Sequence, residues 1–536
     1  MALTTLAGTV PAGSTGRLAG AAALLAAAVV LSPLAALAVM AAGEAPSWAH
    51  IASTRLAEHL ATTVLAVGFG TAFATILGAG LAWLVAMHRF PGRDLFAWAL
   101  VLPLAMPGYV AAYAWADFAG PAGPVADALA SAFGPDARAL SPDLKSLAGL
   151  IFIFATTLFP YVYLAARAGF AAQSACALDA ARTLGAGPGR TALTIAAPLA
   201  RPAIAAGAAL AAMEMAADYG AADHLGVATL GVGVARAWLS FSDLASAARI
   251  ALILMGAALL LLVLERAFRG QDGATGRRWR APRAAVLATL PGFAAAAACL
   301  AALAAGFLIP VVHLAGLGLA EGPPLRDLAD PLLATLGLGA VGTLAALLVA
   351  GLALAGRRAG GATARLAGLA PAVGYAAPGA VLALGVLSAG TAGVGGGVLV
   401  GAGAIGLMAW AYAVRFAQAG LGPLEAGFAK ISPAVGPAAR TLGAGPWRRF
   451  WRIEAPLAAP AAAAAALIAF VEVLKELPAT KLLRPFGLDT LAVRAHAYAS
   501  DERLAAAAWP ALLIVAAGLV PTILLSRRLN AYGAQG

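Results

Sequence analysis

Two pairs of carboxylates stand where carboxylates are expensive. Glu214 and Asp218 are four residues apart in the apolar run AAMEMAADYG, and Glu472 and Glu476 repeat that spacing in VEVLKELPAT. Four residues is about one helical turn, so each pair is expected on one helix face. Glu214 follows Pro202 by twelve residues, as Glu472 follows Pro460, which at about 1.5 Å per residue is roughly 18 Å along a helix. A carboxylate that deep in an apolar segment should face a watery path or a partner. It can relay protons, offer hard oxygen to a cation, or pair with a neighbouring charge such as Lys475. Structural pairing of Glu472 or Glu476 with Lys475 stands beside the pathway reading. Asp218, Tyr219, Asp223 and His224 fit a solvated rim equally well.

The elements that would position these groups follow from composition. Of 536 residues, 62% are hydrophobic and 11% charged, with mean hydropathy +0.88, which excludes an ordinary soluble domain. Apolar runs of about 20 residues suffice to cross roughly 30 Å of hydrocarbon. They fall near 18–42, 60–87, 95–116, 147–166, 202–222, 248–265, 284–313, 332–356, 366–388, 397–414, 460–477 and 506–526. Their Ala, Gly, Leu and Val content suits helices packed through small residues. The expected fold class is an all-α polytopic membrane protein with about twelve transmembrane helices.

Charge placement gives an orientation. With the N-terminus inside, the inner segments hold 24 Lys+Arg and 6 Asp+Glu, against 11 and 18 outside, the asymmetry of a chain with both termini cytoplasmic. The net charge of +11 flanks apolar spans and does not gather into a nucleic-acid-binding patch. The first apolar run exceeds a signal-peptide core and is expected to stay as a helix. Cys176 and Cys299 fall at different membrane levels, so neither a disulfide framework nor a metal cluster follows.

The phrase AARTLGAGP occurs as Ala180–Pro188 and again 258 residues later as Ala438–Pro446, and Ala180–Ala203 matches Ala438–Ala461 at 17 of 24 positions. The chain therefore reads as a duplication: a first six-helix half over 1–265, a basic cytoplasmic linker over 266–283, and a second half over 284–536. Both halves begin inside, making them parallel repeats. Pro107–Gly108 and Pro378–Gly379 break the third span of each half, a feature useful beside a pore and common in plain packing. In each copy of the phrase a short helix should end at Gly185 or Gly443, turn, and return to the membrane. Pro437 is expected at a first helical position. Such a helix is poorly stable alone and becomes firm when docked.

Asp179, Ala180, Ala181, Gly185, Ile195 and Pro198 in the first copy, and Ala438, Ala439, Gly443, Ile453 and Pro456 in the second, resemble the cytoplasmic signature of ATP-binding-cassette (ABC) importer permeases. Asp179 and Pro437 replace its Glu, and Ala197 and Ala455 its Leu. The resemblance implies a type I permease-like bundle whose coupling helices, near 179–198 and 437–456, seat in two copies of an ATP-binding subunit. Arg182 and Arg440 give each helix a charged handle. The chain has no GxxxxGK[ST] loop, so the ATP and Mg would be used by the partner and no cofactor held by this chain.

ADYG at Ala217–Gly220, KELPAT at Lys475–Thr480 and LLRPFG at Leu482–Gly487 look like the ferric-iron importer permeases, in which both halves are often fused. That likeness implies a bacterial inner-membrane permease fed by an extracytoplasmic binding protein. The translocation pathway would then include Glu214, Asp218, Tyr219, Glu472, Lys475 and Glu476, with no stable metal site. Lys475 and Arg484 would repel a bare trivalent cation, so permeases for phosphonate, polyamine or thiamine remain as alternatives. A proton-coupled secondary transporter is the alternative of a different class.

Overall fold

A computed structural model describes residues 14–173, 183, 185, 187–269, 284–322, 325–359, 361–391 and 403–534. Among the described residues nine helices are long and apolar enough to cross a membrane, and two further spans are helix pairs bent at a break: Arg93–Ala105 with Gly108–Phe118 by 94°, and Ala362–Ala376 with Gly379–Gly390 by 116°. The 27-residue helix Gly403–Ala429 occupies the remaining expected position, giving an all-α polytopic membrane fold of about twelve helices. The bends fall at Pro107–Gly108 and Pro378–Gly379, where a missing N–H and a ring clash weaken the helix and the adjoining glycine adds conformational freedom.

Two spans differ from the sequence expectation in register. The runs expected at 202–222 and 460–477 belong to longer helices, Gly189–Ala217 and Trp447–Lys475. Each starts inside the repeated segment and passes through a π-helical stretch, Ala192–Ala196 or Phe450–Glu454. A third such stretch is Ala304–Leu308. All three end two residues before a proline, at Pro198, Pro456 and Pro310. The proline ring presses on the carbonyl four residues back, which lies inside the π turn, so the widened turn absorbs the clash without ending the helix.

Contacts divide the chain into two compact units that are not the two sequence repeats. One gathers Met1–Ser47, Val234–Met255 and Ala329–Thr490; the other gathers Trp48–Gly233, Gly256–Leu328 and Leu491–Gly536. In the first unit the N-terminal helix is tied by side chains to its backbone: Trp410 Nε1 donates to the Val29 carbonyl at 2.9 Å and Ser388 Oγ to that of Ala36 at 3.0 Å. Asp243 caps the helix beginning at Leu244, accepting from the Ser246 amide and hydroxyl at 2.9 and 2.7 Å and from the Ser47 amide at 2.8 Å.

In the second unit the helices Leu56–Met87, Leu147–Ala171 and Ala197–Ala217 pack through small residues. A β-carbon on Gly207 would lie 2.8 Å from Val162 Cα and 2.9 Å from the Tyr161 carbonyl oxygen, so the backbones meet where only glycine fits. Trp115 Nε1 donates to the carbonyl of Ala305, inside the third π stretch, at 2.9 Å. Trp509 Nε1 donates to Gly318 at the same distance. A two-residue parallel pairing joins His88–Arg89 to Ala285–Val286. The buried Cys299 lies in this unit; Cys176 lies outside the described residues.

Gly207→Ala should destabilise the protein by about 1–3 kcal/mol through backbone overpacking, despite the better helix propensity of alanine. Gly256→Ala, where an added β-carbon meets nothing within 4 Å, should be neutral or stabilising. Thermal unfolding of the solubilised chain reads both, and equal effects would refute the packing argument.

Candidate coupling and translocation sites

The second copy of the repeated phrase forms the seven-residue helix Val435–Thr441. Pro437 is its third residue and not its first, still within the first turn, whose amides need no intrahelical partner. The helix ends in a Schellman closure: the Ala444 amide donates to the Ala439 carbonyl at 2.9 Å and the Gly443 amide to that of Arg440 at 3.0 Å. Gly443 has φ +74° and Gly185, at the same place in the first copy, φ +78°. Nothing lies within 4 Å of a β-carbon built on either, so backbone conformation and not crowding requires glycine at both.

Ala439 is buried and anchors the helix, whereas Ala438, Arg440 and Gly443 are exposed and Leu442 is 85% exposed. The phrase is thus displayed on the surface. Asp179, Ala180, Ala181 and Arg182 lie outside the described residues. Of the first copy, Thr183, Gly185 and Gly187 are exposed.

The paired carboxylates do not share a helix face. The helices carrying Glu214 and Glu472 stop at Ala217 and Lys475, and Asp218 and Glu476 take extended backbone just beyond, with ψ 132° and 116°. Their side chains cap the next short helix. Asp218 Oδ1 accepts from the amides of Ala221 and Ala222 at 3.0 and 3.3 Å, and Glu476 Oε1 from that of Ala479 at 3.1 Å. Asp favours such caps over helix interiors, and Pro478 has no N–H with which to carry the helix of Glu472 onward.

Each capping carboxylate abuts the break in a bent span of its own unit. A β-carbon on Gly108 would lie 3.2 Å from Asp218 Oδ2, and one on Gly379 would lie 2.3 Å from Glu476 Oε1. Glycine at both breaks is what lets the carboxylate in.

The two environments then diverge. Glu476 is buried and pairs with Arg415, Nε to Oε2 3.1 Å; Arg415 Nη1 also donates to the Ala377 carbonyl at 2.8 Å, at the bend. Tyr412 and Thr480 hydroxyls, 2.6 Å apart, close the cluster. Glu472 pairs with Lys475 at 2.8 Å, one of the two pairings offered by the sequence. Arg484 pairs with Asp489. The two cations that argued against a trivalent cargo are therefore both neutralised by carboxylates.

In the other unit Thr157 stands at the repeat position of Arg415, and the groups near Asp218 are the Tyr113 hydroxyl and the carboxylates of Glu214 and Asp223. Tyr113 hydroxyl meets His496 Nδ1 at 2.6 Å; His496 Nε2 lies 3.3 Å from Asp223 Oδ2; Tyr219 hydroxyl donates to that same oxygen at 2.9 Å. The His224 ring packs edge-on against Tyr113 at 4.5 Å. A neutral His496 fits this chain by accepting from Tyr113 and donating to Asp223. Tyr113 and His496 are almost wholly buried, while the Asp223 side chain is 29% exposed. Glu214 is half-buried one turn before Asp218. Among the described residues no three His, Cys, Asp or Glu converge as a metal-ligand set.

Sequence reasoning missed Arg415, Tyr113 and His496. Arg415 carried a signal, since an arginine inside AYAVRFAQ is as costly as the glutamates that were noticed. Nothing local links Tyr113 to His496, 383 positions away.

These features define a multi-pass helical membrane protein with two broken spans and a glycine-stopped surface helix. Residues 342–531 match the family described as binding-protein-dependent transport system inner membrane component. Over 219 residues the chain is 26% identical to the Fe(3+)-transport system permease protein FbpB 2 of Haemophilus influenzae, covering 41% of this chain and 39% of that one. Over 162 residues it is 33% identical to the molybdenum transport system permease protein ModB of Escherichia coli, covering 30% of this chain and 66% of the relative. The chain thus aligns with less than two thirds of the length of either, and it resembles ABC importer permeases of the ferric-iron kind.

Arg415→Met should cost about 3–5 kcal/mol by leaving Glu476 buried and unpaired, and Arg415→Met with Glu476→Gln should recover most of it. Thermal unfolding of both variants checks the pair; a double mutant as unstable as the single would refute it.

Proposed function

We propose that this chain is the membrane-spanning subunit of an ATP-driven importer in a bacterial inner membrane, with both termini cytoplasmic. It takes ferric iron from an extracytoplasmic binding protein. Two copies of a separate ATP-binding cassette subunit supply the energy and use ATP and Mg; this chain binds neither. The observation that carries the reading is the exposed helix Val435–Thr441, closed by a positive-φ glycine that recurs at Gly185. A short helix displayed in this way is a handle for another protein. In this reading Asp179, Ala180, Ala181 and Arg182 form the matching handle of the first repeat.

The residues assigned to the translocation pathway are Glu214, Asp218, Tyr219, Glu472, Lys475 and Glu476. Beside Glu214, Asp218 and Tyr219 the carboxylate and phenol oxygens suit a hard cation making transient contacts, whereas Glu472 and Glu476 are held by Lys475 and Arg415. A second reading, import of an oxyanion, draws on the likeness to the molybdenum permease.

Vesicles containing the chain, the ATP-binding subunit and the binding protein would separate these. ATP-dependent uptake of Fe(III) with none of molybdate supports the first reading, and the reverse supports the second. Uptake driven by a proton gradient without the ATP-binding subunit would overturn both in favour of secondary transport.

Asparagine tolerates positive φ, so Gly185→Asn with Gly443→Asn should keep the turns and retain the ATP-binding subunit on co-purification. Gly185→Asp with Gly443→Asp keeps the same shape but adds charge, and should lose the partner about tenfold or more; equal retention would count against the coupling role. Glu214→Gln with Glu472→Gln should lower uptake several-fold while assembly stays near wild type. Unchanged uptake would assign both glutamates to packing.

A further inference from the structure

The segment following the second exposed helix carries something the first copy lacks. Around it the two copies are nearly identical, yet Trp447-Arg448-Arg449-Phe450-Trp451-Arg452 stands where the first copy has Gly189-Arg190-Thr191-Ala192-Leu193-Thr194. A surface that served only a partner shared by both copies would not need three aromatic rings and two additional arginines on one of them.

Trp447, Arg449, Phe450 and Trp451 wall a groove of about 820 Å³ in the unit that contains them, against the helix Leu325–Ala359. The helices touch closely at one level, where a β-carbon on Gly339 would lie 2.7 Å from Phe470. Twelve residues further along, Gly351 lines the groove and an added β-carbon there meets nothing within 4 Å. The splayed helices leave an apolar channel along Gly351, Leu348 and Leu352, and Leu348 is 64% exposed.

The mouth is aromatic and basic. Phe428 and Phe450 stack with centroids 6.3 Å apart, and Trp451 meets Phe450 edge-on at 5.2 Å. The Arg358 guanidinium lies 4.7 Å over Phe428. Arg358 and Arg449 hold opposite oxygens of Glu454 at 2.9 and 3.0 Å, so this trio keeps one positive charge, and the exposed Arg448 and Arg452 add two more nearby. Trp447, 76% exposed, is the first residue of its membrane span, the level at which tryptophan marks the water–lipid boundary.

We infer that this groove binds an anionic phospholipid of the bilayer, its phosphate on Arg358 and Arg449 and an acyl chain along Leu348, Gly351 and Leu352. An apolar channel opening on a basic, tryptophan-bearing rim at the membrane surface matches both ends of that one molecule. A soluble anion would use only the rim, and a protein helix would leave the charge unanswered. The inference needs only that the chain spans a membrane and does not depend on which cargo it carries.

The test uses the full-length chain in nanodiscs of phosphatidylcholine doped with spin-labelled phosphatidylglycerol or spin-labelled phosphatidylcholine. The wild type should bind the anionic probe about tenfold more tightly, equivalent to about 1.4 kcal/mol. Leu348→Trp, which fills the channel from an exposed position, and Arg449→Gln, which leaves Arg358 and Glu454 a neutral pair at the groove mouth, should each bring the preference close to unity, with melting in pure phosphatidylcholine unchanged for Leu348→Trp. Equal binding of the two probes by the wild type would overturn the site, as would a preference that survives both substitutions. So would competition by inorganic phosphate alone, which would mark a soluble-anion site. Loss of the ATP-binding subunit from both variants with lipid preference intact would make the groove a protein-docking surface and equally overturn the proposal.

Discussion

Hydrocarbon offers no hydrogen-bond partner, so every backbone group released by a helix break must be met from within the protein, at several kcal/mol for each failure. This constraint shapes the chain more than any other. It breaks two spans at Pro-Gly steps and then recruits polar side chains to the loose ends. Arg415 takes the Ala377 carbonyl, Tyr163 and Arg167 share that of Ala97, and Trp115 takes that of Ala305 where a π turn has widened the helix. Asp218 and Glu476 meet the amides of the short helices that follow the fifth spans. Intramembrane polar residues that look functional by rarity are therefore partly consumed by the architecture.

The same demand is met differently in the two repeats, and the difference redistributes charge. Glu476 is neutralised by a buried arginine, in a pair whose members are costly to separate. Asp218 sits at the equivalent position with Thr157 in place of that arginine, and near it runs a chain of Tyr113, His496, Asp223 and Tyr219. Hydroxyl and imidazole groups exchange hydrogen-bond partners at low cost, whereas a buried guanidinium–carboxylate pair does not. The duplicated carboxylate has thus become a fixed strut in one unit and a helix cap beside an adaptable polar chain in the other.

The fold was legible to the extent that it is written locally. Spans of about 20 apolar residues, the Pro-Gly breaks and the glycine-stopped phrase all depend on a few consecutive residues. The breaks and the second copy of the phrase fall where turn chemistry puts them, and the spans do so apart from the shifted register of the two that begin in the repeat. The four-residue spacing of Glu214 with Asp218, and of Glu472 with Glu476, misled because it presumes a continuous helix. The stop signals were present, in the capping habit of Asp218 and in Pro478, but the apolar run outweighed them. The Arg415–Glu476 pair spans 61 positions, and the Tyr113–His496 contact far more, so only the folded chain could bring them together. The division into contact units was hidden for a related reason. A repeat records how the sequence was duplicated, while contacts record which helices found each other afterwards.

The repeated phrase shows what duplication preserves. Seven residues cannot pay the nucleation cost of a free helix, so Val435–Thr441 is held by a buried Ala439 and by a closure that needs positive φ at Gly443. None of those requirements explains why exposed Ala438, Arg440 and Leu442 should match the first copy letter for letter. Folding alone would let exposed Ala438, Arg440 and Leu442 drift, as the residues immediately downstream have drifted into an aromatic and basic cluster. Identity held on an exposed face, beside divergence one turn later, separates the part of the surface that answers to something common to both repeats from the part that answers to the surroundings of only one.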